Sequence, residues 1–414
     1  MDLLTLIVSI ITFLAVTLIL VALLLFVKTK LTPAGKVKIN INNGEKELDV
    51  NPGSSLLATL ANEKIFLPSA CGGGGTCGMC KCQVLSGAGS ILPTETGFFS
   101  RKQQQNNWRL GCQVKVREDL EIVIPQEILG IKKLECEVIS NRNVATFIKE
   151  FVVKLPEGEN LNFRSGGYIQ IDIPKYDISF KDMAIEEEYH SDWDKMKLWD
   201  LNTQNTEDTF RAYSMANHPA EGNIIMLNVR IATPPFDRAK GGFMDVKPGI
   251  SSSYIFTRKP GDKVTISGPY GEFFIKETNN EIIFIGGGAG MAPMRSHIFH
   301  LFRTLHTDRK VTFFYGARSL KEVFYEQDFR DIEKDFPNFK FVIALSDPQP
   351  EDNWTGATGF IHQVVLDTYL KDHESPEDIE FYLCGPPMMT QAVVKMADSL
   401  GVPEENVMFD NFGA

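Results

Sequence analysis

Cysteine is scarce. Seven residues in a chain of 414 are too few for a disulfide scaffold, and the odd number leaves at least one thiol unpaired. A basic excess is also absent. Lys and Arg total 42 against 53 Asp and Glu, a net charge of -11, which excludes the basic face that a nucleic-acid partner requires. The seven histidines show no metal-ligand spacing. With 43% hydrophobic and 23% charged residues, the composition excludes wholesale disorder. What remains is a folded body for small-molecule or protein partners, long enough for about three domains at roughly 100–200 residues each.

Charge is missing locally as well. From Leu3 to Val27 no ionisable residue occurs, and only Thr5, Ser9, Thr12 and Thr17 are polar. About 20 apolar residues cover a bilayer core, so residues 3–27 are predicted to form a transmembrane helix. A cleaved signal peptide would need a positive start and a shorter apolar run of about 7–15 residues, whereas Asp2 precedes this one. Lys28, Lys30, Lys36 and Lys38 follow the span and no Lys or Arg precedes it. The positive-inside rule then turns the body toward the cytoplasm, with residues 1–35 as anchor and linker. One uncharged helix offers no ion pathway, so any ion channel belongs to other subunits.

Residues 36–130 read as a small β-rich domain. Val37 to Ile41 alternates with period two, Asn43-Gly44 marks a hairpin turn, and Glu47 to Val50 resumes the alternation. Ser54-Ser55 is placed to cap a short helix through Leu56, Leu57 and Leu60. Then follows Cys71-Gly-Gly-Gly-Gly-Thr-Cys77-Gly-Met-Cys80, with Cys112 well downstream. Three thiolates on a glycine loop and one from a distant strand can enclose a 2Fe-2S cluster. Glycines let such a loop wrap tightly and aim backbone N–H groups at the sulfurs. A ribbon-type zinc site would show two C-x2-C knuckles, and one is present. The C-x5-C-x2-C spacing resembles the ferredoxins, in a variant one residue longer than the plant type. That resemblance implies an α+β (β-grasp) domain in which Cys71 and Cys77 hold one iron, and Cys80 and Cys112 the other. Cys82 is expected to pack or to lie near the cluster, and Cys136 to be a core residue.

From 131 to 274 strands recur. Arg211-Ala-Tyr213-Ser214-Met-Ala-Asn217 ends one, and Gly249-Ile-Ser-Ser252-Ser253-Tyr254 starts a helix, before Gly268-Pro-Tyr-Gly-Glu-Phe273. Arg is the natural bidentate partner of a pyrophosphate, and a helix N-terminus with free amides and Ser252 can take a second anionic oxygen. In this order the motifs resemble the ferredoxin–NADP reductase superfamily, which implies an antiparallel β-barrel binding FAD. By that resemblance Arg211, Tyr213, Ser214, Gly249, Ser252 and Ser253 bind FAD, Tyr213 lying on the isoalloxazine face and Ser214 near its reactive nitrogen. An apparent insertion at 174–210 carries nine acidic residues and two lysines between Asp182 and Asp208, with Tyr189, Trp193 and Trp199 among them. It reads as a docking surface for partner subunits, against a solvated surface excursion.

From 275 to 414 strands and helices alternate, which implies an α/β parallel sheet. Ile282 to Ile285 is a buried-strand run leading into Gly286-Gly287-Gly288-Ala-Gly290-Met-Ala-Pro293 and a helix, where glycines let the backbone approach a pyrophosphate. Tyr315-Gly-Ala-Arg318 and Cys384-Gly385-Pro386-Pro387 follow, and the series again resembles the same superfamily. It implies NADH binding by these residues, with Cys384 beside the nicotinamide; a small core residue at a strand end is the other reading of Cys384. Arg318 and Lys321 are interspersed with Glu322 and Glu326, which opposes an added 2′-phosphate and favours NADH over NADPH. Phe412 stands where the superfamily has a terminal aromatic that covers the flavin. Catalytic roles are therefore expected for Ser214, Cys384 and Phe412.

The order of anchor, ferredoxin, flavin and nicotinamide domains resembles the F subunits of the bacterial sodium-translocating NADH:quinone reductases. The resemblance implies hydride transfer from NADH to FAD, then single electrons to the 2Fe-2S cluster and on to partner subunits in a bacterial inner membrane. Two other readings stay open: an NADH-dependent oxygenase reductase, and a membrane-tethered ferredoxin with an idle flavoprotein module.

Overall fold

A computed structural model describes residues 3–31, 35–237, 239 and 241–410. The chain divides into two compact units, one of residues 1–69 and 73–131, the other of residues 70–72 and 132–414.

The apolar run forms a helix, Leu3–Leu31, of 29 residues. At about 1.5 Å per residue it is roughly 43 Å long, more than a bilayer core requires. None of the window Ile7–Leu24 is buried against protein. Its hydroxyls turn back on the helix itself: Ser9, Thr12 and Thr17 donate to the carbonyls of Thr5, Val8 and Phe13 at 2.7–2.8 Å. A polar group that satisfies itself in this way can sit in hydrocarbon at little cost.

The rest of the first unit is a five-stranded sheet. Val37–Ile41 pairs antiparallel with Lys46–Val50 and parallel with Leu120–Val123. Val37, Ile39 and Ile41 face the core while Lys38 faces water, as alternation demands. Asn42, Asn43 and Gly44 take positive φ in the turn. The helix Leu56–Asn62 is capped by Ser55, which accepts from the Ala58 amide. Lys81–Ser86 pairs with both Leu120–Val123 and Trp108–Leu110.

In the second unit a six-stranded antiparallel sheet runs from Thr209–Ser214 through Tyr168–Ile173, Lys263–Tyr270, Lys132–Ala145 and Ile148–Lys154 to Ile224–Arg230. Its two edge strands meet again at the Met215–Leu227 bridge, which closes it into a barrel. A six-stranded parallel sheet follows, in the order Ala357–Thr358, Phe339–Leu345, Val311–Ala317, Ile282–Gly287, Glu380–Cys384, Val407–Phe409. The chain builds outward on one side of Ile282–Gly287 and then returns to the other side. That reversal opens a crevice at the carboxyl ends of Ile282–Gly287 and Glu380–Cys384, the usual ligand position in such sheets.

The stretch read as an insertion folds onto the barrel. Tyr176–Ser179 pairs with Asn202–Asn205, and the helix Glu187–Lys195 lies between them in the chain. The docking reading rested on its aromatics, and these pack largely within the chain. Trp193 is wholly buried in the barrel's core with Tyr189, its indole N–H donating to the Thr146 carbonyl at 2.9 Å. Trp199 is half-buried against Trp193, ring centroids 4.9 Å apart. Acidic neighbours made the segment look like surface, but its amphipathic helix turns the Trp193 indole inward.

Candidate functional site

Cys80 and Cys112 meet because of strand register. Lys81 pairs with Leu110, and the Gly111 amide donates to the Cys80 carbonyl at 2.7 Å, so the two flanking cysteines emerge at the same sheet end. Both are buried. The Cys80 thiol is pushed far up by its hydrogen bond with Cys112, by burial and by the neighbouring thiol's charge. Cys71 and Cys77 are half-buried on the preceding loop. Among the described residues no three His, Cys, Asp or Glu side chains converge as a single-ion site, and Cys80 and Cys112 hydrogen-bond each other. The loop depends on glycine. At Gly78, φ is +68°, and a Cβ there would stand 2.4 Å from the Phe98 ring. Four thiols, two of them paired in a buried setting where only a cation can hold them ionised, fit a 2Fe-2S cluster.

A pair that sequence reading missed braces the strand leading to Cys112. Glu95 is fully buried and takes a forked bond from Arg109, at 2.7 Å to Nη2, together with the amides of Leu110 and Leu92. Arg109 also donates to the carbonyls of Ala88 and Gly89. The strand leading to Cys112 is thus tied to the loop beyond Ser86. Cys82 is buried beside it and Cys136 is buried in the barrel core, as expected.

On the barrel, Arg211, Tyr213 and Ser214 occupy the edge strand Thr209–Ser214. Arg211 donates to Thr209 Oγ1 at 3.0 Å and to the Phe210 carbonyl at 2.7 Å. The Tyr213 hydroxyl donates to Ser251 Oγ at 2.9 Å, and burial pushes the phenol up to about 12. Gly249 caps the helix Ile250–Phe256, where Ser252 Oγ accepts from the Ala232 amide and donates to the Gly249 carbonyl. Ser252 thus ties the helix start to the chain before it, and Ser253 Oγ is buried without a partner. A strand carrying Arg and Tyr next to a helix start with an unpartnered hydroxyl fits a dinucleotide such as FAD.

Ser214 leads to the second missed residue. Its Oγ donates to Asp410 Oδ2 at 2.7 Å. Asp410 follows the strand Val407–Phe409, and its amide donates to the Leu383 carbonyl, beside Cys384. Burial raises the Asp410 carboxyl to about 6, against the opposing bond from Ser214. Burial, then the charge of Asp410, hold the Cys384 thiol well above its usual range. Ser214, Asp410 and Cys384 therefore converge at the crevice mouth, brought together from the barrel and from two strands of the parallel sheet.

The glycine run lines the same crevice. Gly286 pairs with Cys384, and a Cβ on Gly290 would stand 2.0 Å from the Cys384 carbonyl oxygen. No side chain fits there, so the start of the helix Met291–Phe299, which contains Pro293, is pressed onto the neighbouring strand end. Gly287, Gly288, Gly385 and Pro386 complete the turn: a Cβ on Gly385 would come within 3.2 Å of the Gly287 nitrogen. Arg318 stands apart on the surface, paired with Asp347 at 3.1 Å. Phe412 lies outside the described residues.

Comparison with known proteins agrees with this layout. Residues 39–117 match the 2Fe-2S iron-sulfur cluster binding domain family, 198–275 the oxidoreductase FAD-binding domain family and 284–395 the oxidoreductase NAD-binding domain family. A cytochrome P450 reductase from Amycolatopsis shares the fold, with a TM-score of 0.63 and 22% identity over 91% of this chain and 98% of that one. The ferredoxin reductase of a carbazole 1,9a-dioxygenase aligns with a TM-score of 0.58 at 26% identity, with the same coverage. The F subunit of the Na(+)-translocating NADH-quinone reductase of Neisseria meningitidis serogroup C is 56% identical over 98% of this chain and 99% of its own length. Its counterpart in a Marinomonas strain is 53% identical, covering 99% of both. With identity this high along both full lengths, the chain belongs to the family of Na(+)-translocating NADH-quinone reductase F subunits.

Proposed function

We propose that this chain is the electron-entry subunit of a sodium-translocating NADH:quinone reductase, oxidising NADH and passing electrons to partner subunits. The convergence of Ser214, Asp410 and Cys384 on one crevice supports this reading most directly, since hydride transfer needs the flavin and nicotinamide sites to share a boundary. When bound, FAD would supply two-electron hydride acceptance and one-electron release, the chemistry needed between NADH and a 2Fe-2S cluster.

The protein's part is geometric. Arg211, Tyr213, Ser214, Gly249, Ser252 and Ser253 hold the flavin, with Ser214 oriented by Asp410. Gly286, Gly287, Gly288, Gly290, Pro293, Gly385 and Pro386 present backbone to the dinucleotide, and Cys384 lies beside the nicotinamide. Cys71, Cys77, Cys80 and Cys112 ligate the irons. Arg318 and Lys321 stand opposite carboxylates, Asp347 and Asp192, whose charge opposes an added 2′-phosphate and supports NADH. The helix Leu3–Leu31 anchors the chain in the bacterial inner membrane, with the folded body on the cytoplasmic side. Full-length relatives at 53–56% identity favour this role over that of an oxygenase reductase, whose structural relatives share 22–26%.

Anaerobic titration of the purified chain with NADH tests the reading. Flavin absorbance should bleach first, followed by the rhombic EPR signal of a reduced 2Fe-2S centre. Bleaching without any such signal would sink the cluster assignment.

A further inference from the structure

The flavin strand does not stop at Ser214. Met215, Ala216 and Asn217 continue to the helix Met291–Phe299, and that helix grips them. Arg295 Nη1 donates to the Ala216 carbonyl at 2.9 Å and to Glu221 Oε2 at 2.8 Å, while Nη2 donates to Glu221 Oε1 at 2.7 Å. Ser296 Oγ donates to the Asn217 carbonyl at 2.8 Å. On the opposite side the barrel holds the same segment. The Ala216 amide donates to the Met226 carbonyl, and the Asn217 side chain bridges Ile224 and Met226.

Arg295 and Ser296 are both buried, at 5% and 0% exposure, so water does not compete for these bonds. The guanidinium also lies over the rings of Phe299 and Tyr325, 4.0 and 5.3 Å from their centroids. Tyr325 in turn bonds Glu150 and Asn228 of the barrel. Burial alone would raise the Glu221 carboxyl, yet the bonds from His218 and Arg295 hold it at about 2, so the pair stays ionised throughout the working range.

The other end of this short helix is equally constrained, because Gly290 is pressed onto Cys384. From residue 290 to residue 295 the helix rises about 8 Å. One rigid element thus connects the backbone at Cys384 to the backbone two residues past Ser214. Contacts between domains of one chain are commonly polar and permit relative motion. Here a forked Arg, fixed at two acceptors, removes that freedom.

We propose that Arg295 and Ser296 are positioning residues that set the separation of hydride donor and acceptor. The inference rests on the assignment of Ser214 to the flavin and Cys384 to the nicotinamide. Neither residue touches the reactants; each acts through the Ala216–Asn217 backbone. Because a misplacement of about 1 Å can cost on the order of 100-fold in rate, small shifts of this strut should be visible.

The test uses full-length, FAD-loaded protein and stopped-flow reduction by NADH and by NADH deuterated at the transferred position. Arg295→Lys keeps a charge opposite Glu221 but loses the fork that serves Ala216 at the same time. Ser296→Ala removes one hydrogen bond with little change of volume. The saturating rate of flavin reduction should fall about 30-fold in Arg295→Lys and about 3-fold in Ser296→Ala. The NADH dissociation constant should hold and the isotope effect should grow. Rates within about twofold of the original chain in both variants, or a loss seen only as weaker NADH binding, would overturn the proposal. If Arg295→Lys does not fold, Ser296→Ala decides alone. An unaltered chain whose flavin NADH cannot reduce would refute the proposed function instead.

Discussion

Asp410 combines burial with a functional neighbour, and its protonation can be followed. Its carboxyl sits at about 6 in the fold, above the ordinary value of 3.8, because burial disfavours the charge. A raised carboxylate pKa means that the folded state binds the proton more tightly than the unfolded chain does. Stability from this group is therefore greatest below about pH 4 and is lost as pH rises to about 6. Asp410→Asn should remove that loss: denaturation midpoints should diverge in favour of the variant between pH 4 and 6 and run parallel above. Hydride transfer in the variant should slow, because Ser214 loses its carboxylate acceptor. Glu95 makes a different prediction. Its pair with Arg109 is buried, so Glu95→Ala strands a guanidinium and should cost about 3–5 kcal/mol in urea unfolding, with loss of cluster absorbance. Neither acid was legible in the chain. Asp410 lies in a tail that draws attention for its aromatics, and Glu95 lies in a polar turn. Burial made both important, and burial of a carboxylate has no sequence signature.

Elements explain why glycine and tryptophan behaved differently as signals. The run from Gly286 to Gly290 was legible because backbone proximity demands glycine, and the Cβ that Gly290→Ala adds would stand 2.0 Å from the Cys384 carbonyl. That variant should weaken NADH binding at least 10-fold in fluorescence titration, with flavin and cluster spectra retained. The core position of Trp193 was not legible, because an acidic segment with aromatics resembles an interface until the helix Glu187–Lys195 is seen to bury one face. Trp193→Ala should cost about 3–5 kcal/mol through the cavity it leaves in the barrel, as measured by thermal unfolding. The alternation of Val37–Ile41 and the cap at Ser55 were legible because short-range sterics and hydrogen bonds decide them.

At the scale of the whole molecule, the anchor should be separable from the chemistry. Deleting residues 1–35 should move the protein from the membrane to the soluble fraction while NADH:ferricyanide turnover stays near its full value. The hydroxyls of Ser9, Thr12 and Thr17 in the helix Leu3–Leu31 bond to its own carbonyls, and its window Ile7–Leu24 packs against no other part of the described chain. Local chemistry sufficed for the sequence to mark the long apolar helix, the Cys71–Cys80 loop and the run of glycines from Gly286 to Gly290, because each rests on near neighbours in the chain. The meeting of Ser214 with Asp410, the strut from Arg295 to Ala216 and the inward turn of Trp193 were decided by tertiary structure alone. Each joins residues distant in the chain, the first two through the packing of the barrel against the parallel sheet and the third through the barrel's own core.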